Sequence, residues 1–167
     1  MSSGLRVELV AAADVRPLRH EVLRIGLPES STHYPGDDAA RAAHFALRLL
    51  EDDSPGEIVS VGTVLPDSPP WEPDRADSWR IRGMATRERV RGRGLGRRVL
   101  DALIGHAADH GGTLIWCHAR IGALEFYRRA GFEPIGDEFD DGVAIHRSMW
   151  RPLASPVFRE PMSAHPN

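Results

Sequence analysis

The segment Val90–Arg98 combines three glycines at alternate positions with four arginines, between a strand pattern and a helix pattern. Glycine allows a backbone to approach a ligand closely and to adopt conformations that other residues avoid. The first turn of the following helix presents unpaired N–H groups and the positive end of the helix dipole, which together attract anions. Arginine adds charge-assisted hydrogen bonds to phosphate oxygens. These residue types predict a site for a pyrophosphate.

Two other interpretations of this segment exist. A tight strand-to-helix connection with solvated arginines would need no ligand at all. A dinucleotide site needs glycines spaced G-x-G-x-x-G and an acidic residue closing the next strand. Here the glycines run G-x-G-x-G, and the strand is followed by Cys117-His118-Ala119-Arg120. The 21 strongly basic residues are all arginine, which excludes a lysine-dependent Walker loop. Nicotinamide and flavin cofactors are therefore disfavoured.

The elements around the glycine turn are predicted from hydrophobic periodicity and turn residues. Strand patterns cover 6–10, 45–49, 58–65, 79–86, 113–117, 133–139 and 143–150, and helix patterns cover 11–25, 95–110 and 121–130. Turn residues at 52–56 and 140–142 predict two hairpins. The order strand, helix, strand around the glycine turn predicts a right-handed parallel crossover.

Two blocks of this chain resemble the GNAT family of N-acetyltransferases. Arg91-Gly92-Arg93-Gly94-Leu95-Gly96 is similar to the family's [R/Q]-x-x-G-x-[G/A] motif. The block 123–132 (ALEFYRRAGF) is similar to the family's A-x-x-[FY]-Y-x-x-x-G-F segment. The specific resemblance covers about 79–151, and upstream of it only the order of elements agrees. The resemblance implies an α/β (α+β) fold: a mixed sheet of six to seven strands, flanked by helices and splayed between two central parallel strands.

The resemblance also implies acetyl-CoA as cosubstrate, wedged between the two parallel strands. Its pantetheine arm would pair with the backbone of Met84, Ala85 and Thr86. Its pyrophosphate would lie on the turn and the first helical turn. The residues implied there are Arg91, Gly92, Arg93, Gly94, Leu95, Gly96 and Arg97. Family members often carry asparagine where this chain has Arg120, so one side-chain contact to the cosubstrate is expected to differ.

Acetyl transfer from a thioester to an amine needs a neutral amine, a donor for the oxyanion and a proton for the leaving thiolate. Tyr127 matches the family position of the general acid, although its ring could equally serve packing around Gly131 and Phe132. A tyrosine, with a pKa of about 10, still holds its proton at neutral pH. His118 and His146 are the candidate bases, with a water chain as the alternative. The oxyanion donor is expected among the N–H groups of 84–86.

The acceptor is predicted only as a small-molecule or peptide amine. The acidic cluster at 137–141 could attract a cationic amine, and a solvated turn explains it equally well. The leading function is an acetyl-CoA-dependent N-acetyltransferase that works by direct attack in a ternary complex. The alternative is a non-catalytic acyl-CoA sensor with the same fold, which would have no need of a thiolate acid at Tyr127.

Charge, composition and residue spacing argue against several other functions and sites. The net charge of −3 gives no general attraction to nucleic acid, and no apolar run is long enough for a membrane span. The single Cys117 forms no intrachain disulfide and is interpreted as a small buried side chain. No metal site is predicted, because His106 and His110 lack a carboxylate at the matching turn. We expect one cytoplasmic domain over 1–151, a proline-rich tail over 152–167, and a possible pairing of sheet edges in a homodimer.

Overall fold

The computed structural model describes residues 4–50, 54 and 56–154. It contains seven strands and three α-helices in these ranges. In chain order they are β1 (Gly4–Val10), α1 (Ala12–Leu23), β2 (Ala43–Leu50), β3 (Ile58–Pro66), β4 (Ser78–Thr86), α2 (Leu95–Asp109), β5 (Leu114–Arg120), α3 (Leu124–Arg129), β6 (Glu133–Asp140) and β7 (Ile145–Pro152). Short 3₁₀ turns lie at Glu29–Thr32, Glu88–Val90 and Ile121–Ala123.

The seven strands form one mixed sheet in the order β1-β2-β3-β4-β5-β7-β6. Only β4 and β5 are parallel, and every other neighbouring pair is antiparallel. The parallel pair is joined by α2, which confirms the predicted crossover. The antiparallel pairings of β2 with β3 and of β6 with β7 confirm the two predicted hairpins. Of the turn residues predicted to join β2 to β3, 52, 53 and 55 lie outside the described residues.

Helix α2 covers one face of the sheet with a continuous apolar stripe. Its buried residues are Leu95, Val99, Leu100, Leu103 and Ala107, all part of the stripe seen in the sequence. They pack against Trp79 and Ile115 of the parallel pair. The helix ends in a Schellman motif, in which Gly111 is left-handed (φ 82°) and the Gly112 N–H bonds Ala107 O at 2.8 Å. The apolar stripe thus fixes which side of α2 faces the sheet, and this motif defines where the helix ends.

Helix α1 covers the opposite face. Val15 and Leu18 pack against Ala46, Val61 and Ala85 of the sheet. The helix ends at Leu23, two residues before the predicted end, because Arg24 leaves helical geometry with φ −131°. Ile25, which the pattern placed on the buried stripe, is 76% exposed. This helix end lies beside the cavity described below.

The two parallel strands pair over only four residues each. Pairing runs from Ser78 opposite Leu114 to Ile81 opposite Cys117, and beyond that point β4 and β5 separate. A β-bulge in β4 accompanies the separation, because residues 83 and 84 together face the single Gly62 of β3. As a result, residues 82–86 of β4 have no regular pairing with β5.

The last strand runs further than the sequence pattern predicted. Pro152 belongs to β7, Leu153 is buried, and the Leu153 N–H bonds Thr113 O at 2.9 Å. These two residues pack with the sheet, whereas the proline-rich tail was expected to begin at 152. Residues 155–167 of that tail lie outside the described residues. In the described ranges no helix is long and apolar enough to cross a membrane.

Candidate active site

The glycine turn between β4 and α2 has the backbone geometry of an anion site. Gly92 and Gly94 are left-handed, with φ of 78° and 75°, a region that residues with a Cβ rarely adopt. Gly94 is the N-cap of α2, and no described side chain caps this helix. The N–H groups of its first turn therefore remain available to an external acceptor. A Cβ at Gly92 or Gly94 would meet nothing within 4 Å, so the space beside the turn is open.

The third glycine of the turn has a packing role instead. A Cβ at Gly96 would lie 2.9 Å from Thr86 Oγ1 and 3.6 Å from the Phe126 ring. Gly96 therefore allows the start of α2 to approach the end of β4 and α3. Thr86 is itself held by a 2.8 Å hydrogen bond between its hydroxyl and that of Ser60.

A cavity of about 1120 Å³ lies where β4 and β5 separate. One end is formed by the glycine turn and α3, and the other by the end of α1, the loop at Tyr34 and the hairpin of β6 and β7. We call the first the turn end and the second the α1 end. The cavity connects the two faces of the sheet, so two ligands that enter from opposite faces could meet at the strand separation.

Tyr127 lines this cavity from α3 and is 5% exposed. Its ring contacts Phe126 and Phe132 edge-on, with centroid distances of 5.1 and 5.5 Å. Burial and the neighbouring Cys117 side chain raise the pKa of Tyr127 well above its ordinary value. The hydroxyl is therefore protonated at neutral pH. Its ring is also part of the core, so the packing role considered in the sequence analysis is present at this position.

Cys117 is buried in the core beside Tyr127 and does not line the cavity. Burial raises the pKa of the Cys117 thiol far above its ordinary value. A thiolate is the nucleophilic form of cysteine, so a neutral buried thiol is a poor acyl acceptor. The side chain behaves as the small hydrophobe expected from the sequence.

His118 lines the cavity from β5, on the sheet face that carries α1. Its Nδ1 lies 2.9 Å from Ser148 Oγ. Burial, followed by the positive charges of Arg80 and Arg82 and the proximity of His146, lowers the pKa of His118 to about 4. The imidazole is therefore neutral at physiological pH, and it holds a proton only weakly.

His146 lines the same cavity from β7 and is 8% exposed. Its ring stacks on Phe139 with a centroid distance of 5.7 Å. The ring Nδ1 lies 2.9 Å from Ala144 O and 3.5 Å from an Asp141 carboxylate oxygen. Because neither oxygen can donate, Nδ1 carries the proton and the lone pair of the neutral ring is on Nε2.

The α1 end of the cavity is rich in arginine. Arg24 and Arg82 lie over the Tyr34 ring, at 5.1 and 5.0 Å from its centroid. Arg120 donates from Nη2 to Leu23 O at 2.7 Å and so connects β5 to the end of α1. Of the predicted acidic cluster at 137–141, only Asp141 lines the cavity. Sequence analysis did not identify this arginine group, although alternation in β4 puts Arg80 and Arg82 on one face.

A family model for the acetyltransferase (GNAT) family matches residues 13–132. This range covers most of the chain and includes β4, the glycine turn, α2, β5 and α3. The chain belongs to the GNAT family.

One curated protein and two solved structures are similar to this chain. The uncharacterized N-acetyltransferase YitI of Bacillus subtilis (strain 168) is 29% identical over 150 residues, which cover 89% of this chain and 97% of the relative. A Lactobacillus plantarum structure, provisionally described as an N-acetyltransferase, is 22% identical with a TM-score of 0.73, covering 90% and 99% of the two chains. An aminoglycoside 6'-N-acetyltransferase complexed with coenzyme A is 12% identical with a TM-score of 0.66, covering 90% and 98%. The two solved structures share the GNAT fold with this chain.

Most residues implied by the GNAT resemblance lie around one cavity. Its lining includes Tyr127, His118, His146, Met84, Ala85, Thr86, Arg91, Gly92, Gly94, Leu95, Gly96 and Arg97. Arg93 is exposed and does not line the cavity. Arg120, where GNAT relatives often carry asparagine, lines the α1 end and bonds the backbone of α1. The described residues contain no group of three or more metal-ligating side chains.

Proposed function

We propose that this GNAT-family protein transfers an acetyl group from acetyl-CoA directly to a primary amine while both are bound. The observation that carries this proposal is the separation of β4 and β5 after Ile81 and Cys117, with a cavity through the sheet at that point. A donor at the turn end and an acceptor at the α1 end would meet there. Holding both reactants in one cavity removes much of the entropic barrier of a two-substrate reaction.

The turn end fits the phosphates of a coenzyme A ester. Left-handed Gly92 and Gly94 and the uncapped start of α2 offer backbone N–H groups to a pyrophosphate. Arg91 is anchored by its Nε–H to Thr86 O at 3.0 Å, and Arg97 by Nη1 to Arg129 O at 3.1 Å. Residues 84–86 lie beyond the last pairing of β4 with β5, so their edge toward β5 could bond a pantetheine arm and the oxyanion. A related fold that binds coenzyme A supports this assignment.

In this proposal Tyr127 is the general acid. The acceptor nitrogen forms a bond to the thioester carbonyl carbon, the carbon–sulfur bond breaks, and Tyr127 gives its hydroxyl proton to the departing sulfur. The raised pKa of Tyr127 keeps that proton in place until the thiolate develops. Acetyl-CoA supplies the activated acyl group, and Tyr127 recovers a proton from solvent or from the acceptor side.

His146 is a better candidate than His118 for the proton acceptor. The Nδ1–H of His146 is directed to Ala144 O and Asp141, which leaves Nε2 able to accept a proton from an ammonium or through a water molecule. His118, with a pKa of about 4, would bind such a proton too weakly to retain it.

Purified protein is incubated with acetyl-CoA and a panel of amines, and free thiol is followed with time. Turnover with at least one amine is expected. In Tyr127→Phe we expect turnover to fall about 100-fold or more, with acetyl-CoA binding retained in calorimetry. Cys117→Ala is the control for a covalent acyl-enzyme, and it should keep turnover. Acetyl-CoA binding without thiol release on any amine would instead favour a sensor, and failure to bind acetyl-CoA would overturn the proposal.

A further inference from the structure

The α1 end of the cavity carries a group of arginines from three separate elements. Arg24 follows α1, Arg82 belongs to β4 and Arg120 ends β5. In β4 the neighbours Trp79 and Ile81 face the α2 side, so Arg82 faces the α1 side. By the same alternation in β5, Arg120 faces the α1 side. The fold therefore brings together three guanidinium groups that are far apart in the sequence.

The three guanidinium groups are linked through two shared neighbours. Arg24 and Arg82 both lie over the ring of Tyr34. Arg24 Nη1 and Arg120 Nη2 both donate to Leu23 O, at 3.1 and 2.7 Å. Arg82 Nη1 also donates to Pro35 O. Each of these bonds uses one of the five guanidinium N–H groups, so most donors of the cluster remain for another acceptor.

No described carboxylate lies within 4.0 Å of Arg24, Arg82 or Arg120. Neighbouring arginines on the same face are paired: Arg19 with Asp37 at 2.7 Å and Arg80 with Asp67 at 3.4 Å. Arg24, Arg82 and Arg120 therefore differ from these two neighbours, because no described carboxylate pairs with them. Partly buried charges are costly without a counter-ion.

The charge of the cavity wall differs from that of the whole protein. The chain has a net charge of −3, but the described lining contains seven arginines and two carboxylates, Glu125 and Asp141. Arg91, Arg97 and Arg129 lie at the turn end, where the proposed donor would place its phosphates. At the α1 end Asp141 is occupied by backbone N–H groups of Val143 and Ala144 and by His146. This leaves an excess of positive charge where the acceptor enters.

Burial, followed by nearby arginines, lowers the pKa of both Arg82 and Arg120. Both groups remain charged at physiological pH, since an arginine pKa is above 12 in its ordinary state. The like charges would be relieved by an anion between them. Planar guanidinium groups bind carboxylate and phosphate oxygens in pairs, so an oxyanion suits this site.

We propose that the acceptor is an amine that also carries an oxyanion, such as an amino acid, with the anionic group held by Arg24, Arg82 and Arg120. The inference rests on the proposed acetyl transfer and specifies its substrate class. The anion would orient the acceptor so that its amine points toward His146 and the strand separation. It fits the interpretation of the acidic cluster at 137–141 as a solvated turn, and not the alternative in which that cluster attracts a cationic amine.

The test compares matched acceptors that differ only in the anion. Amino acids are assayed beside the amines that lack their carboxylate, and aminoalkyl phosphonates are included to distinguish carboxylate from phosphorus oxyanions. We expect the wild-type kcat/KM to be about 100-fold higher for at least one acceptor that carries the anion than for the matched amine that lacks it. Equal use of both, or preference for the amine without the anion, would overturn the substrate class while leaving acetyl transfer intact.

Variants then locate the anion site. In Arg24→Gln and in Arg82→Gln, KM for the acceptor that carries the anion should rise about 10- to 100-fold, with little change for the matched amine that lacks the anion. Arg24→Lys should recover part of the loss, because it restores the charge but not the planar fork. Arg41→Gln is the control, since Arg41 also lies over an aromatic ring, at 5.1 Å from Trp79, but outside this cavity. A uniform loss for both acceptors would contradict a role in anion binding.

A binding measurement distinguishes failure of the anion site from failure of the proposed acetyl transfer. Calorimetry of the protein with coenzyme A and each acceptor measures recognition without turnover. Selective binding of the anionic acceptor, lost in Arg82→Gln, supports the anion site even if no acetyl transfer occurs, in which case the proposed reaction alone fails. Turnover on amines that lack the anion, without selective binding of the acceptor that carries it, rejects the anion site and leaves the proposed reaction intact.

Discussion

Arg19 and Asp37 form a two-point ion pair in the interior of the protein. Arg19 Nη1 and Nη2 donate to the two carboxylate oxygens at 2.7 and 3.0 Å, and the side chains are 0% and 4% exposed. Arg19 also donates to Thr32 O and Thr63 Oγ1. The pair thus attaches the loop after α1, which carries Tyr34 of the α1 end, to the sheet.

We expect Asp37→Asn to lower the free energy of unfolding by about 3 to 5 kcal/mol, because it leaves the buried Arg19 charge without a counter-ion. Asp38→Asn is the matched control at an exposed position, and its effect should stay within about 0.5 kcal/mol. Chemical denaturation at neutral pH measures both. A loss below about 1 kcal/mol in Asp37→Asn would show that the pair contributes little.

The same ion pair predicts a pH dependence. Burial alone would raise the pKa of Asp37, but the hydrogen bonds and charge of Arg19 outweigh it, so the pKa lies below the ordinary 3.8. A lowered carboxyl pKa gives stability that is present above 3.8 and is lost as pH falls through the folded-state value. The stability difference between wild type and Asp37→Asn should therefore shrink below about pH 3.8. A difference that stays constant down to pH 2 would contradict the assignment.

Substitution by alanine should have opposite effects on stability at two glycines of α2, one at its start and one inside it. Gly94 is left-handed (φ 75°), so Gly94→Ala should cost about 1 to 2 kcal/mol of stability and weaken acetyl-CoA binding. Gly105 lies within α2 with nothing near its missing Cβ, so Gly105→Ala should stabilise by about 0.5 to 1 kcal/mol. Thermal unfolding and calorimetry with acetyl-CoA measure the two effects. Equal acetyl-CoA affinity in Gly94→Ala and wild type would exclude the turn from phosphate binding.

The order of elements was predictable because periodicity reports which side of a strand or helix is buried. The stripe from Leu95 to Ala107 identified α2, and the apolar run at 113–117 identified a central strand. Hairpin turns and the parallel crossover then limited the topology. The glycine turn was predicted from its residue types, and the left-handed Gly92 and Gly94 agree with a turn at this place.

Other features depend on contacts between distant parts of the chain and left no local signal. The bulge opposite Gly62 follows from Gly83, which is left-handed (φ 61°) and where a Cβ would lie 2.6 Å from Arg19 Nε. The arginine group at the α1 end joins residues from three elements, so no window of sequence contains it. The end of α1 was misplaced because Ile25 continues the apolar spacing although the helix stops at Leu23.

His118 predicts a second pH effect, on stability. Its pKa of about 4 in the folded protein lies below the ordinary 6.5, so folding favours the neutral ring. Stability from this group is complete above pH 6.5 and is lost as pH falls toward 4. The loss should be about 1 to 2 kcal/mol, because solvent screens the partly exposed ring, and it should be absent in His118→Gln, as measured by denaturation between pH 7 and 4. Parallel stability curves for the two proteins would disprove the shift.

The two cavity histidines should differ in their effect on turnover. His146 presents a free Nε2 lone pair, because Ala144 O and Asp141 occupy the Nδ1 side, whereas His118 holds a proton weakly. We therefore expect His146→Gln to lower kcat about 100-fold or more and His118→Gln to lower it less than about 10-fold. Acetyl-CoA binding should be unchanged in both variants. Added imidazole should restore part of the rate in His146→Ala, which opens space for the ring, and should do nothing for Tyr127→Phe. A wild-type rate in His146→Gln would indicate that a chain of water molecules, and not His146, accepts the proton.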